Sequence, residues 1–161
     1  MRENLTDTRP TQNPLTLRLL APVTASTNLI WELAQMHGYR SAGISVIVHI
    51  AWCVCASIGD TVMTYGIVGI AYAVLREVRS APHGLKLYAT TAIVGLPVAA
   101  LIEYVALHFG FWAYDPSMPM LFGLGIFPLL QLSVLSPIAL ALSELFSRRT
   151  PDNATRPSSR A

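Results

Sequence analysis

Glu32, Asp60 and Glu103 lie inside stretches that are otherwise apolar enough to cross a bilayer. A charged side chain near a bilayer centre costs at least about 2.5–3.5 kcal/mol on insertion scales, so such residues face a bundle interior, find a partner there and mark a site. A carboxyl group in apolar surroundings is also discouraged from ionising and becomes a proton donor, so the expected chemistry is acid–base. Asn28, Glu32, Gln35 and Tyr39 step by 4, 3 and 4 residues and form one polar stripe on a helix. His49 and Asp60 are three helical turns apart on nearly one face, with Cys53, Ser57 and Thr64 close to the same line.

Gly95, Ala99 and Glu103 follow at i, i+4, i+8, a small-residue track that lets a second helix approach and carries the carboxyl to that contact. Pro97 frees a backbone carbonyl beside this track. Gln131 stands between Pro128 and Pro137, with Gly123 and Gly125 ahead of it. Counting about 1.5 Å per residue from the expected outer helix ends puts Glu32, His49, Glu103 and Gln131 in the outer half of the membrane. Asp60 falls deeper and is expected to be a separate packing or proton-relay group. Residues 110–119 would lie over the outer cluster, with Trp112 and Tyr114 serving either as interfacial anchors or as walls of a pocket.

Other chemistries find no support. Glu32 with His37 and Glu103 with His108 are i, i+5 pairs, which turns the second side chain away from the first, so no metal site and no cofactor are expected. Cys53 and Cys55 project from different sides of a helix and read as small core residues. Nucleophilic triads, phosphate loops and nucleotide fingerprints are absent. No basic face is interleaved with aromatics, so no nucleic-acid partner is expected.

The elements that position these residues follow from composition. With 53% hydrophobic and only 12% charged residues in 161, the chain is too apolar for an ordinary soluble domain and suits one all-α, polytopic membrane helical bundle. Four segments are long enough to span: about 17–38, 42–75, 86–109 and 120–146. Residues 42–75 read as one long tilted helix, because Gly59-Asp60 is not a hairpin turn. Of eleven basic residues, ten fall on one side of such a bundle and Arg40 alone on the other, which places both termini in the cytoplasm. The ends, 1–16 and 147–161, are polar and read as disordered tails, and nothing at the start resembles a cleavable signal peptide.

The run Asn28-Leu-Ile-Trp31-Glu32-Leu-Ala-Gln35, with His49, Gly59-Asp60, Glu103, Phe111-Trp112-Ala-Tyr114, Met118-Pro119 and Gln131, resembles a group of small bacterial multipass membrane proteins of no known activity. The likeness covers about residues 28 to 140. The Asn-x-x-Trp-Glu stretch is more distantly similar to that of the membrane-integral terpene cyclases, and by that resemblance Glu32 would be the proton donor. Those cyclases are longer, with about seven spans, so their second acidic residue has only Asp60 and Glu103 as counterparts.

Two functions are therefore expected from different classes. One is an enzyme acting by acid–base catalysis on a lipid-soluble, isoprenoid-like molecule, with Glu32, Glu103, Asp60 and His49 as catalytic residues. Asn28, Trp31, Gln35, Tyr39, Tyr104, Trp112, Tyr114 and Gln131 would bind the substrate, the aromatic rings facing a developing cation. The other is a non-catalytic membrane component: a small transporter, a proton-conducting element or an assembly partner. The expected partners are membrane lipids, a lipid-soluble small molecule and a second copy in a homodimer, since four short helices enclose little volume.

Overall fold

A computed structural model describes residues 14–40 and 43–149 and is almost entirely helical. Its helices are α1 (Pro14–Gln35), α2 (Val46–Glu77), α3 (Gly84–Phe109) and α4 (Ile126–Arg149), and a two-residue hairpin, β1 (Met120–Leu121) and β2 (Leu124–Gly125), precedes α4. Three of them, α2, α3 and α4, are long and apolar enough to cross a membrane, as a multipass membrane protein requires. Of the polar residues that dilute α1, Thr16, Thr24, Asn28 and Gln35 are buried, Thr27 and Glu32 are half-buried, and Arg18 and Ser26 are exposed. With Leu20 the four buried ones make a stripe at helical spacing, turned inward against α4. The outward faces of α2 and α3 carry Ile47, Ile58, Val62, Ile93 and Leu101, a surface suited to acyl chains.

Residues 42–75 form a single helix shifted slightly to 46–77, and Ser45 opens it by accepting the Val48 N–H on its hydroxyl. The expected fourth span begins six residues late. Residues 120–125 turn back on themselves, pairing Met120 with Gly125 and Leu121 with Leu124, and Phe122 and Gly123 take positive φ in the turn. The helices also reach further than the expected tail boundaries. Thr16 and Ser147 belong to α1 and α4 and share a buried hydrogen bond of 3.0 Å. The rest of the expected tails, 1–13 and 150–161, lies outside the described residues.

Packing follows the ring α1–α2–α3–α4, with α4 held against both α1 and α3. The α3–α4 contact depends on Gly95: a Cβ there would stand 2.8 Å from the Leu132 carbonyl oxygen, so only glycine lets the two backbones come this close. Buried residues of α3 recur every fourth position from Leu87 through Thr91, Gly95 and Ala99 to Glu103, and this row delivers the carboxyl to the interior. Toward the end of the bundle that holds the α2–α3 connection, Leu20, Val68, Ala71, Leu75, Leu87, Ala139 and Leu140 form an apolar core. A smaller cluster of Ile67, Ala99 and Leu132 lies apart from it.

The two outer connections are strapped together. Tyr39 and Tyr114 pair as an isolated antiparallel bridge, the Arg40 N–H donates to the Ala113 carbonyl at 3.0 Å, and the Asp115 N–H donates to the Gly38 carbonyl at 2.9 Å. α3 stops at Gly110, whose left-handed φ of 70° lets the Phe111 N–H return to the Ala106 carbonyl. The chain then crosses directly over the outer end of the bundle.

Candidate functional site

Gln131 is the hub. Its Nε2 lies 3.2 Å from Asn28 Oδ1, 2.8 Å from Glu32 Oε1 and 2.6 Å from Asp60 Oδ2, while its Oε1 accepts from Gln35 Nε2 at 2.9 Å. One side chain of α4 therefore gathers residues from α1 and α2. An amide nitrogen carries two hydrogens, yet three oxygens approach it, and two of them belong to carboxyl groups. Glu32 and Asp60 are thus within two hydrogen-bond lengths of each other and compete for one donor. Asn28 is held by its own Nδ2 donating to the Thr24 carbonyl at 3.1 Å, and Gln35 by Trp31 Nε1 donating to its Oε1 at 3.1 Å.

Glu103 has a different environment. Its Oε2 accepts from the Tyr114 hydroxyl and, at 3.4 Å, from Trp112 Nε1. The Tyr114 oxygen in turn accepts the Gly125 N–H at 2.9 Å. The connection over the bundle, the hairpin and α3 are joined through this one phenol. Desolvation pushes the Tyr39 and Tyr114 phenols up, with the Glu103 carboxyl reinforcing the shift, so both remain neutral hydroxyls. Asp115, at the surface of the strap, is held below the usual carboxylate range by the Ser117 backbone and side chain.

Glu32, Asp60, Glu103, His49 and Gln131 all line one cavity of about 680 Å³, within the range of small-molecule sites. Its walls are otherwise mostly apolar. Tyr39 and Trp112 line it from the strap, with ring centroids 6.3 Å apart in an edge-to-face arrangement, and Tyr39 also meets Tyr114 at 5.7 Å.

The structure places the expected site residues unevenly. Asp60 is not a separate group deeper in the bundle, because the long α2 leans so that its carboxyl reaches Gln131 at the level of Glu32. Tyr104 does not face the cavity: it is 63% exposed and stacks on His108 on the outer face of α3, one position round from Glu103. Trp31, Asn28, Gln35 and Tyr114, expected to bind substrate, also lie outside the cavity lining: Trp31 donates to Gln35, Asn28 and Gln35 bond to Gln131, and Tyr114 donates to Glu103. Glu32 and Glu103 share the cavity without a hydrogen bond between them among the described residues.

Three features escape the sequence reading. Trp52, Ala56, Gly59 and Met63 line the cavity at steps of 4, 3 and 4, a periodicity hidden because most of α2 is apolar. Arg40 lines it too and donates from Nε to the Tyr114 carbonyl at 3.1 Å, which adds a side-chain bond to the strap. Glu144, 3% exposed, is with Glu103 one of the two fully buried carboxyls among the described residues, accepting from the Tyr88 hydroxyl at 2.8 Å with Arg148 at 3.9 Å. Comparison of the chain with protein-family models, with curated proteins and with solved structures finds no match.

Proposed function

We propose that this protein is a membrane-integral enzyme that performs acid–base chemistry on a lipid-soluble, isoprenoid-like molecule held in the outer-half cavity. The observation that carries this reading is the pairing of two unlike carboxyl environments in one apolar chamber. Glu32 and Asp60 crowd a single amide nitrogen, an arrangement suited to holding one proton between them. Glu103 receives two donors on one oxygen, an arrangement suited to a carboxylate. Two carboxyl sites with opposed tasks are what protonation at one end of a molecule and deprotonation at the other require.

In this reading the Glu32–Asp60 pair gives a proton to an alkene, epoxide or carbonyl, and Gln131 holds the pair in register. The cation that develops sits against the ring faces of Trp52, Trp112 and Tyr39, while Glu103 removes a proton to end the reaction. His49 lines the chamber and is a second proton carrier there. The reading takes α1 as a fourth span, with Thr16, Asn28 and Gln35 of its polar stripe hydrogen-bonded inside the bundle, and both termini as cytoplasmic in a bacterial inner membrane. The basic residues at 76, 79, 86, 148 and 149 then share the inner side.

The non-catalytic alternative, a proton-conducting element, requires polar groups at every depth. Below Asp60, Thr64 and Ser136 bond at 3.1 Å, and the buried Thr24, Thr91 and Ser143 then lie among Leu20, Val68, Ala71, Ala139 and Leu140 before Glu144. The Thr91 and Ser143 hydroxyls donate to carbonyls of their own helices, an arrangement that favours a chamber closed on the inner side over a relay.

The test compares untargeted lipid extracts of a host carrying the wild-type protein, the Glu32→Gln protein at equal membrane level, or neither, with isoprenoid precursors supplied. A lipid species that changes with wild type alone is the expected result. Identical extracts from all three hosts, with the protein shown to be folded, would overturn the enzyme reading.

A further inference from the structure

We infer that the cavity is filled sideways from the bilayer, through a slot between the outer halves of α2 and α3, by a membrane-dissolved molecule with an apolar body and one hydrogen-bonding end that enters first. This rests on the reading of the cavity as a site for a lipid-soluble molecule. The sides of α2 identify the slot. Val68 packs with Leu20 of α1, and the Tyr65 hydroxyl donates to the Leu17 carbonyl at 2.7 Å, so these residues mark the flank toward α1. Ile67 packs with Ala99 and with Val94, Val98 and Ile102, so it marks the direction of α3.

At about 100° per residue, Ala56, Gly59 and Met63 lie just past the Ile67 direction, on the side away from α1. All three line the cavity and all three are exposed, and the lining continues about 40° further round α2 to Cys55, which is exposed too. A lining that carries on round the helix away from the bundle interior marks an opening on that side. Opposite it on α3 stands Ile102, on the flank that turns toward α2. Ile67 closes the two helices together below this level.

The aqueous end also has exposed lining, at Arg40, Ile44 and Phe111, but there the two connections are tied across it. Two backbone bonds and the Arg40 side chain tie residues 38–40 to 113–115, and Tyr39 fills the space beside Trp112 and Tyr114. Met118 lies against Gly38 so closely that a Cβ there has no room. The polarity of the cavity matches side loading. Trp52, Gly59, Met63 and Ile102 form the mouth, and Glu32, Asp60 and Gln131 form the rear wall. A molecule passing the mouth meets apolar surface first and hydrogen-bonding groups last, so its single polar end must lead.

The test uses the full chain in liposomes that contain a long-chain fatty alcohol bearing a diazirine within a few carbons of its hydroxyl, with adducts mapped by mass spectrometry after photolysis. Adducts are expected on the rear wall at Glu32 and around Gln131, and also on outward residues such as Ile47 and Leu101. Gly59→Leu fills the slot, and the space around Gly59 is open, so the fold tolerates it. Rear-wall adducts should fall several-fold in Gly59→Leu and in Ala56→Leu while those at Ile47 and Leu101 stay constant. Arg40→Ala, which loosens the strap, should leave rear-wall labelling unchanged. Absence of rear-wall adducts in the wild type, their persistence in both slot variants, or their rise in Arg40→Ala would overturn the side route. Labelling needs no turnover, so rear-wall adducts without a lipid product would leave the route standing and remove the chemistry, and the reverse would do the opposite.

Discussion

Gln131 carries more of the site than any carboxyl does. Replacing it with leucine, which matches its size, removes the only donor shared by Glu32, Asp60 and Asn28 and leaves the Gln35 amide without its acceptor. Each buried polar group left without a partner costs about 1–3 kcal/mol. Gln131→Leu should therefore lower the unfolding temperature in detergent clearly, whereas Glu32→Gln, which keeps an oxygen for Gln131, should lower it little and still abolish the lipid product. Tyr114→Phe tests the other half of the site. It removes the donor to Glu103 and the acceptor for the Gly125 N–H, so hydrogen exchange at the Gly125 amide should accelerate while amides in the middle of α3 keep their protection.

At the scale of elements, the position of Glu103 depends on how closely α3 approaches α4. Gly95→Val would push a side chain into the Leu132 carbonyl, where backbone cannot yield, and should destabilise the bundle by about 1–3 kcal/mol as overpacking does. Gly59→Ala is the matched control. It meets open space in the middle of a helix, and alanine should stabilise there by about 0.5–1 kcal/mol. Thermal unfolding of the two variants side by side in one detergent checks the contrast. Equal effects would mean that the α3–α4 distance is not set by Gly95. The strap behaves as an element of its own, since two short connections far apart in sequence become one two-stranded crossing only when the helices beneath them are packed.

Across the whole molecule, the described residues hold two acidic centres separated by a plug of apolar residues interleaved with buried hydroxyls. Glu144, with Tyr88 and Arg148, lies on the inner side of Leu20, Ala139 and Leu140, and the Gln131 cluster lies on the outer side. If the outer chamber works alone, Glu144→Gln should leave lipid conversion unchanged, although the Tyr88 contact keeps the inner end together. Loss of conversion in Glu144→Gln, with the fold intact, would instead mean that a proton path crosses the plug. Orientation is open to a separate check. Green fluorescent protein fused to either end should fluoresce and alkaline phosphatase at either end should stay inactive, as the ten-to-one division of basic residues demands.

Much of this molecule is written in local sequence because membranes impose local rules. Hydropathy and helix length are properties of twenty neighbouring residues, so the three apolar helices, the unbroken α2 and the inward row from Gly95 to Glu103 are all legible without coordinates. The same holds for Glu32, Glu103 and Gln131 as residues that must turn inward. What only tertiary structure decided depends on the relative tilt and rotation of helices, which no single segment encodes. The lean of α2 brought Asp60 up to Gln131, and the rotation of α3 turned Tyr104 outward beside an inward Glu103. The line from His49 to Asp60 marked one inward face of α2, along which Cys53, Ser57 and Thr64 are buried, but the neighbouring row of Ala56, Gly59 and Met63 became cavity lining only once α1 and α3 took two of its flanks.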